Sequence, residues 1–437
     1  MAFIRCFWYI FKKIKNFFDF SLEKYTKMVY NRKNTSRKDF NMARQVYADN
    51  SATTCISAPV LEAMLPVLKE TYGNPSSLYS LGDRAKEVIE SAREKVAAAL
   101  GATPQEIYFT SGGSEADNWA IRMTAAAALK KGKNEIISTA FEHHAVLHTL
   151  EHLKEQGFKI ILLPVYENGI VKPQDLENAI TDKTAVVSIM YANNEIGTIQ
   201  PIKELGAICR THGVPFHTDA VQAVGNLEIN VEEQNIDMLS LSAHKFHGPK
   251  GVGALYVKKG LRVSPLIFGG AQEKGKRAGT ENTAGIAGLG AAIELATKDI
   301  PKKQKYLKAI SDRVIEGALK IEKSRLNGDR EKRLCGNVNL CFEGIEGESL
   351  LLMLDAAGVQ ASSGSACTSG SLDPSHVLLA IGLKHEVAHG SLRLSFSDVN
   401  TIEDADYILE VLPPIVKRLR EMSPLWDRIK MEEKEKK

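Results

Sequence analysis

The chain lacks any apolar run long enough to cross a membrane. Among its 437 residues, the longest uninterrupted run of bulky apolar side chains covers positions 6–11, whereas a membrane-spanning helix needs ~20 residues. A longer run at 284–293 consists largely of Gly and Ala and ends at Glu294. The run at 6–11 is also shorter than the ~7–15 apolar residues of a typical secretory signal. We therefore expect neither a transmembrane segment nor a secretory signal.

Cysteine is scarce, and its spacing matches none of the common metal or redox motifs. The six cysteines include no Cys-x-x-Cys pair and no Cys/His spacing typical of a zinc site. A long chain with so few cysteines is typical of a reducing compartment. Three histidines recur every four residues on one predicted helix, namely His144, His148 and His152. No carboxylate or thiol completes an obvious ligand set around them, so we predict no resident metal ion.

Basic charge is also scarce, except at the N-terminus. The net charge of the whole chain is +3, but residues 1–44 carry 11 Lys and Arg against 3 Asp and Glu, a net of +8. The remaining residues carry 45 against 50, a net of −5. A mildly acidic body gives no support to DNA or RNA binding, which requires a basic patch on the folded domain. Residues 1–44, which also hold 11 of the 30 aromatic residues, are therefore treated as a separate N-terminal extension.

The N-terminal extension has the pattern of a basic amphipathic helix followed by a polar stretch. At helical spacing, one face is apolar and consists of Ile4, Phe7, Phe11, Ile14 and Phe18. This pattern is typical of a mitochondrial transit peptide, although the aromatic excess, the few serines and the dominance of Lys over Arg depart from it. The alternative is an extension that contacts a membrane surface. We predict delivery to the matrix of a mitochondrion or related organelle, with the cytoplasm as the alternative.

From about residue 45 onward, segments with helical periodicity alternate with short apolar segments typical of strands. Residues 83–100 predict an amphipathic helix that ends at Gly101, and residues 106–110 predict a strand that leads into a helix at 115–130. Further strand-like segments lie at 135–138, 159–163, 185–190, 215–218, 238–241 and 253–257. The alternation predicts an α/β fold with a mostly parallel sheet and helices on both faces. After about Lys302 the spacing changes, which indicates a second, smaller α+β domain.

Three features lie where predicted strands end, and each has a chemical use. Lys245 follows an apolar strand among small and polar residues, where a partly desolvated amine can form a Schiff base. Asp219 ends another strand, where it could pair with a protonated pyridine nitrogen or cap the next helix. The turn at 111–114 (Ser-Gly-Gly-Ser) opens a helix, whose backbone N–H groups suit a phosphate. Each feature alone is common, but their order is that of the fold-type I pyridoxal-phosphate enzymes.

The chain resembles the cysteine desulfurases of the NifS and IscS type, which belong to the class V aminotransferase family. The resembling segments are 49–54, 73–77, 110–118, 142–143, 193–197, 219–222, 242–245, 277–280, 362–369 and 423–426. The resemblance implies a fold-type I pyridoxal-phosphate enzyme with a mostly parallel seven-stranded sheet. It also implies a large cofactor-binding domain at 55–303 and a small domain at 45–54 and 304–437. A catalytic-cysteine loop is expected at about 362–371 within the small domain.

The resemblance implies a role for each residue that matches the family's motifs. Lys245 would hold pyridoxal 5'-phosphate covalently and move the substrate's α-proton, and Asp219 would pair with the ring nitrogen. His143 would stack on the ring and take part in catalysis. Arg393 would bind the substrate carboxylate together with Asn194, a task suited to the planar guanidinium. Further cofactor contacts would come from Asn194, Gln222, Gly113, Ser114, Ser242 and His244, and from Thr280 supplied by the second subunit of a homodimer.

Cys367 distinguishes the desulfurases from their aminotransferase relatives. It lies in a stretch of small and polar residues at 362–370, which predicts an exposed loop. The resemblance implies that its thiolate attacks the sulfur of bound L-cysteine, leaving a persulfide on Cys367 and releasing L-alanine. The sulfur would then pass to an iron–sulfur scaffold protein or to another acceptor. Its use would be the assembly of iron–sulfur clusters, which are metal centres, or the thiolation of tRNA. An accessory subunit is a further candidate partner.

Two alternatives and two departures accompany this interpretation. The alternatives are a selenocysteine lyase, which shares the fold and cofactor, and a catalytically silent scaffold subunit with the same fold. The intact set of motif residues argues against the silent subunit.

Ser114 replaces the Thr that the family usually has, which keeps a hydroxyl at that position. After Trp426, a short charged run stands where members of the family have a longer tail that the resemblance links to scaffold docking.

Overall fold

The computed structural model describes residues 44–363 and 374–435. Almost all of the N-terminal extension and the loop residue Cys367 lie outside these ranges, so the predictions made for them are not addressed by the structure. The compact unit that contains the described elements begins at Val46.

Helices and strands alternate through most of the described chain. The strands are β1 (Val46–Tyr47), β2 (Ile107–Thr110), β3 (Glu135–Thr139), β4 (Lys159–Leu163), β5 (Thr184–Ser188), β6 (Phe216–Asp219), β7 (Met238–Ser242), β8 (Gly253–Val257), β9 (Ser324–Leu326), β10 (Asn337–Phe342), β11 (Val359–Gln360) and β12 (Ser391–Ser395). The helices are α1 (Ala58–Lys69), α2 (Ser80–Leu100), α3 (Gly113–Leu129), α4 (His144–Glu155), α5 (Pro173–Ala179), α6 (Ile202–Thr211), α7 (Thr283–Thr297), α8 (Ile300–Ala318), α9 (Gly347–Ala356), α10 (His376–Ala380), α11 (His385–Ala388), α12 (Ile402–Glu421) and α13 (Pro424–Glu435). A further short helical segment, Gln272–Gly275, has non-helical backbone angles at Glu273 and Lys274 and is not numbered.

The helix predicted at 83–100 shows how the sequence directs local structure. The observed helix α2 buries an apolar stripe that includes Ala85, Ile89 and Val96, as the periodicity predicts. It ends at Gly101, which has a φ of 66° and donates its N–H to carbonyls of the last helical turn. A left-handed residue at this position favours glycine, which has no Cβ to strain. The helix begins three residues earlier than predicted, at Ser80.

A seven-stranded sheet forms the centre of the larger part of the molecule. Its strand order is β2-β8-β7-β6-β5-β3-β4, and within this sheet β8 runs antiparallel to both of its neighbours while the other pairings are parallel. Five of its strands, β3, β5, β6, β7 and β8, are buried at every position. Strands covered on both faces need apolar side chains on both faces, which explains the uninterrupted apolar runs in the sequence. The predicted α/β fold with a mostly parallel sheet is confirmed.

A second, smaller sheet lies in the C-terminal part of the chain. It has three antiparallel strands in the order β12-β10-β9, and β1 pairs separately with β11 in parallel. The small sheet has its own core with α8, α9 and α12, distinct from the cores around the large sheet and including Val314, Leu340 and Leu412. Helices α10 and α11, which the sequence assigns to the small domain, instead contribute Val377 and Ala388 to a core of the large sheet. The domain boundaries at 54/55 and 303/304 stay a prediction.

Within residues 44–363 and 374–435, no helix has both the length and the apolar character that crossing a membrane requires.

Candidate active site

A cavity of about 350 Å³ lies where strands of the large sheet end. Its wall is formed by residues at or after the ends of β1, β2, β3, β5, β6 and β7, together with one residue of β12 and one of α10. Ligands of open α/β sheets bind at this edge, beyond the carboxyl ends of the strands. The lining residues are Ser51, Ala52, Gly113, Ser114, Asp117, His143, His144, Met190, Asn194, Glu195, Asp219, Val221, Gln222, Ser242, His244, Lys245, His376 and Arg393.

The cavity brings together most of the residues that the sequence singled out. Those that line it are Gly113, Ser114, His143, Asn194, Asp219, Gln222, Ser242, His244, Lys245 and Arg393. Thr280 is not among the lining residues and is exposed. Cys367 lies outside the described residues. Residues that are 280 positions apart in the sequence thus meet at one site, while the functional role of each stays a prediction.

One end of the cavity suits a phosphate group. Helix α3 begins at Gly113, so backbone N–H groups without helical partners lie beside the hydroxyl-bearing residues Ser114 and Ser242. A Cβ on Gly113 would lie 2.6 Å from a methyl carbon of Val221, so this close packing requires glycine. Burial, with Lys245 nearby, lowers the pKa of His244 to about 4, so that its imidazole is neutral. These neutral donors bind an anion without an excess of positive charge.

A buried carboxyl group lies at the end of β6. The Asp219 Oδ1 accepts a hydrogen bond from the backbone N–H of Val221 at 2.9 Å. Burial raises the pKa of Asp219, and this hydrogen bond and the charge of Lys245 act in the opposite direction. An anionic carboxylate in a buried cavity is the partner that a protonated pyridine nitrogen needs.

Lys245 ends a short 3₁₀ turn directly after β7. Its Nζ donates hydrogen bonds to the carbonyl oxygens of Ser51 at 2.6 Å and Ala52 at 2.8 Å. The side-chain amide of Gln222 donates to the same Ser51 carbonyl at 3.0 Å. The backbone at Ser51 and Ala52 therefore holds the amine in the cavity wall, although no property of their side chains marks them in the sequence.

His143 occupies the N-cap position of α4. Its Nδ1 accepts a hydrogen bond from the backbone N–H of Ala145 at 3.1 Å, so the ring proton of the neutral form lies on Nε2. Burial, followed by the charge of Lys245 and the neighbouring histidines, lowers the pKa of His143 to about 4. The imidazole is therefore neutral at physiological pH, with its proton on Nε2 and a face that an aromatic ring can stack on.

Arg393 lies in β12 and is 1 % exposed. Its Nη2 contacts the Asp49 carboxylate at 2.8 Å, and its Nη1 donates to the backbone carbonyl of Asn194 at 3.1 Å. The planar guanidinium is thus oriented by two different segments of the chain before any substrate arrives. An oriented guanidinium is well suited to bind a carboxylate through two hydrogen bonds.

Several lining residues were not identified from the sequence. Asp117 and Glu195 are buried carboxyls of the wall, and the hydroxyl of Ser375 donates to Glu195. The Nε2 of His376 lies 2.9 Å from the carbonyl oxygen of Glu142, and its ring centroid is 4.7 Å from that of His144. Asp117 and Glu195 lie inside segments that resemble the family's motifs. Their carboxyl groups in these segments were the available indication that they line the site. His376 carried no such indication.

The three regularly spaced histidines do not come together as a metal site. His144 and His148 have ring centroids 5.0 Å apart, whereas His152 lies beside the side chain of Gln156 at 2.9 Å. In the part of the chain that the structure describes, no group of three or more His, Cys, Asp or Glu side chains is arranged to hold a metal ion.

The chemistry of the cavity fits pyridoxal 5'-phosphate. Gly113 opens a helix N-terminus suited to the phosphate, Asp219 supplies a buried carboxyl for the ring nitrogen, and Lys245 supplies an amine. His143 supplies a neutral aromatic face in the same wall. Each requirement of the cofactor is thus met by a different element of the fold.

Comparisons with known proteins agree with this chemistry. The family model of class V aminotransferases matches residues 46–408. The chain is similar to a protein of Clostridium botulinum named cysteine desulfurase IscS, with 59% identity over 398 residues that cover 90% of this chain and 100% of the relative. A protein of the same name from Methanosarcina thermophila is 58% identical over 382 residues, which cover 87% of this chain and 94% of the relative.

The similarity extends to solved structures. A structure titled NifS-like protein superposes with a TM-score of 0.81 at 38% sequence identity, covering 86% of this chain and 100% of that one. The chain therefore belongs to the class V aminotransferase family, and within it to the cysteine desulfurases of the NifS and IscS type.

Proposed function

We propose that the protein is a cysteine desulfurase that uses pyridoxal 5'-phosphate to convert L-cysteine into L-alanine and a persulfide on Cys367. The observation that carries the proposal is the meeting of Lys245, Asp219, His143 and Arg393 in one cavity. The first three fit the cofactor, and the fourth fits the carboxylate of an amino acid. A class V aminotransferase that lacks a sulfur nucleophile would use the same four residues, so the proposal also depends on Cys367.

The residues that flank Cys367 are fixed to the wall of the cavity. On one side, Ser362 exchanges backbone hydrogen bonds with Arg393, and the carbonyl of Ser363 accepts from the hydroxyl of Ser391 at 2.8 Å. On the other side, the hydroxyl of Ser375 donates to the buried Glu195. Cys367 follows Ser363 by four positions, so the chain can extend by at most ~14 Å between them. The position of Cys367 in the sequence therefore supports its assignment as the nucleophile.

The substrate-binding step follows from the geometry of Arg393. Its guanidinium binds the carboxylate of L-cysteine, and Asn194, whose carbonyl receives the Nη1 hydrogen bond, lies beside it. Because the guanidinium is buried, water competes weakly for these hydrogen bonds, which strengthens them. Arg393→Lys keeps the charge but loses the planar fork, so we expect a higher KM with a smaller change in kcat.

The proton steps use Lys245 and His143. When it is bound, pyridoxal phosphate supplies the electron sink that makes the bonds at the substrate's α-carbon labile. The Nζ of Lys245 takes the α-proton, and the carbonyls of Ser51 and Ala52 limit where this atom can lie. His143 carries its proton at Nε2, because its Nδ1 accepts a hydrogen bond from the backbone N–H of Ala145. The Cys367 thiolate forms an S–S bond to the substrate sulfur as the Cβ–S bond breaks, and the β-carbon takes up a proton. Lys245 then returns a proton to the α-carbon, which gives alanine.

Mass spectrometry of the peptide that contains Cys367 tests this proposal. After incubation with L-cysteine, we expect one added sulfur atom on Cys367 in the wild type and in a Cys55→Ser variant, which removes an exposed cysteine. Cys367→Ser should bind the cofactor and L-cysteine and form no persulfide. Undiminished persulfide in Cys367→Ser would show that another cysteine is the nucleophile. Turnover of selenocysteine but not of cysteine by the wild type would favour the selenocysteine lyase alternative.

Borohydride reduction tests the assignment of Lys245. We expect a yellow protein in which reduction fixes the cofactor to Lys245, whereas the exposed Lys250 should stay unmodified. A protein that stays colourless after addition of the cofactor would contradict the enzyme and favour the silent scaffold subunit.

We also propose that the protein works as a homodimer in which Thr280 completes the partner's phosphate site. In support, Thr280 is exposed and absent from the cavity of its own chain. Large apolar side chains are also exposed in helix α1 and nearby segments, namely Leu61, Leu65, Leu68, Tyr72, Leu78, Tyr79 and Phe268. Exposed apolar groups of this size are typical of a subunit interface. Sedimentation as a monomer at micromolar concentration would contradict the dimer.

The destination of the sulfur and the compartment are further parts of the proposal. An iron–sulfur scaffold protein is the acceptor that the resemblance implies, with tRNA thiolation and an accessory subunit as further candidates. The two relatives described above come from a bacterium and an archaeon, which is compatible with the cytoplasm. Delivery to a mitochondrion stays a prediction from residues 1–44. Microscopy of a fluorescent fusion with and without residues 1–44 tests it, because only the full chain should reach an organelle.

A further inference from the structure

Asp117 is a buried carboxyl of the cavity that the proposed reaction does not use. It lies on α3, one turn after Gly113, is 1 % exposed, and lines the same cavity as Asp219. Its Oδ1 is sealed from solvent and has no hydrogen-bond partner among the described residues. The Nε2 of His217, at 3.6 Å, is the nearest basic atom and lies beyond hydrogen-bond distance. An ionised carboxylate in this position would be poorly compensated.

The charges that act on Asp117 disfavour its ionisation. Burial raises its pKa, and the two other carboxyls that act on it, Asp219 and Glu142, raise it further. His217 is fully buried, and burial lowers its pKa to about 3, so it supplies no positive charge. The positive charge of Lys245 acts on Asp219 and His143 instead. Three carboxyls buried within range of one another cannot all be ionised at neutral pH.

Hydrogen-bond donors decide which carboxyl holds a proton. Asp219 accepts from a backbone N–H and is favoured as an anion by Lys245. Glu142 accepts from the backbone N–H of Met190 and the hydroxyl of Thr139. For Asp117, the hydroxyl of Ser240 is the neighbouring group that lowers the pKa, and the Oδ1 has no hydrogen-bond partner among the described residues. The proton is therefore held most firmly by Asp117 and the negative charge by Asp219.

A hydrogen-bonded chain of three buried side chains lies beside Asp117 in the sheet, with the Nε2 of His217 3.6 Å from the Asp117 Oδ1. The Oγ of Ser240 lies 3.0 Å from the Nε2 of His217, and the Oγ of Ser188 lies 2.9 Å from its Nδ1. All three residues are 0% exposed and belong to the neighbouring strands β5, β6 and β7. If Asp117 is neutral, it donates to Ser240, Ser240 donates to Nε2, and the proton of His217 lies on Nδ1. If Asp117 is ionised, every donor is reversed and the proton lies on Nε2.

We propose that Asp117 is a positioning residue: a neutral carboxylic acid that orients the chain Ser240–His217–Ser188 beneath the cofactor cavity and leaves Asp219 as the ionised carboxyl for the ring nitrogen. Asp219 ends the strand that also carries His217, so this hydrogen-bond chain fixes the strand that presents Asp219. The role assigned toward the ring nitrogen rests on the proposed function. The protonation state of Asp117 does not, because it follows from the fold alone.

The protonation state is tested on the cofactor-free protein. With ¹⁵N-labelled histidine, we expect the His217 resonances to report the Nδ1–H form at pH 7, with His217→Gln used to assign them. Infrared spectra should contain the carbonyl stretch of a neutral carboxylic acid that disappears in Asp117→Asn, whereas Glu142→Gln identifies any similar band from Glu142. An Nε2–H form of His217, or a spectrum that Asp117→Asn leaves unchanged, would overturn the proposal.

Titration with pyridoxal phosphate tests the positioning role. Asp117→Asn keeps the shape and neutrality of the side chain, so we expect its Kd for the cofactor to lie within about threefold of the wild type. Asp219→Asn should weaken binding by at least about tenfold, because it removes a charged hydrogen-bond partner. Equal losses in the two variants would overturn the proposal, since they would mean that Asp117 is also ionised.

A second variant covers the case in which Asp117→Asn does not fold. Ser240→Ala keeps Asp117 but breaks its link to His217, so we expect the His217 resonances to lose the Nδ1–H preference. Retention of the same tautomer in Ser240→Ala would show that Asp117 does not set it. If the wild type shows the Nδ1–H form but binds no pyridoxal phosphate, the proposed function fails while the protonation state of Asp117 stands.

Discussion

Glu142→Gln should flatten the dependence of folding stability on pH. The carboxyl of Glu142 is 0% exposed, accepts from the hydroxyl of Thr139 at 2.6 Å, and has both oxygens 3.0 Å from the backbone nitrogen of Met190. Burial raises its pKa from 4.5 to about 8; these hydrogen bonds oppose the rise, and the charge of Asp219 adds to it. A glutamine has nearly the same shape, and its carbonyl oxygen can accept from the same donors. The substitution therefore removes the titration and little else.

The magnitude follows from the two pKa values. Because the pKa of Glu142 is higher in the folded state, the folded protein holds a proton that the unfolded chain releases. The stability that this proton contributes is fully present below pH 4.5 and is lost as the pH rises through about 8. The difference between 4.5 and about 8 corresponds to roughly 5 kcal/mol at 1.36 kcal/mol per pKa unit. The variant should lack this loss.

Urea unfolding of the cofactor-free protein, followed by circular dichroism at a series of pH values from 5 to 9, measures the effect. We expect the midpoint urea concentration of the wild type to fall more steeply with pH than that of Glu142→Gln. Glu151→Gln, at an exposed position on α4, is the control and should follow the wild type. Parallel curves for the wild type and Glu142→Gln would refute the reasoning, because they would mean that Glu142 titrates as an ordinary carboxyl.

Two further predictions concern stability and cofactor binding. Arg93→Leu leaves the buried Glu273 without the guanidinium that contacts it at 2.8 Å, and it should cost about 3–5 kcal/mol of unfolding free energy in a urea titration. Lys95→Ala, which breaks a partly exposed ion pair, should cost less than about 1 kcal/mol, and equal costs would contradict the importance of burial. Gly113→Ala places a Cβ 2.6 Å from a methyl group of Val221, so pyridoxal phosphate should bind at least about fivefold more weakly in an absorbance titration. An unchanged Kd would show that the turn can shift at no cost.

Local patterns predict the parts of the site that depend on a single segment. The turn at 111–114 stands between a strand and a helix, and Asp219 and Lys245 each follow an apolar strand, so their positions at one edge of a parallel sheet follow from the alternation of elements. The position of Arg393 in the same cavity does not follow from any local pattern. It depends on the pairing of β10 with β12 and on contact with Asp49, which lies 344 residues earlier in the chain.

Different physical reasons explain why the sequence did not indicate the roles of four cavity residues. Ser51 and Ala52 act through their carbonyl oxygens, and backbone atoms leave no trace in residue identity. His376 follows the small-residue loop, and its proximity to His144 results from the packing of α10 against the large sheet. The sequence assigned α10 to the small domain, so it did not predict this contact. Asp117 resembles an ordinary polar residue in the first turns of a helix until the structure shows that it faces the sheet.

The pairing of β1 with β11 sets a limit on proteolytic maturation of the chain. Val46 and Tyr47 are bound in this pairing, and the next few residues provide the carboxylate that contacts Arg393 and the carbonyls that hold Lys245. A cut anywhere before Val46 would leave all of these contacts intact, whereas removal of ten more residues would strip partners from both the substrate and the cofactor groups at once. The paired strand therefore marks the limit of any trimming of the basic extension that keeps these contacts.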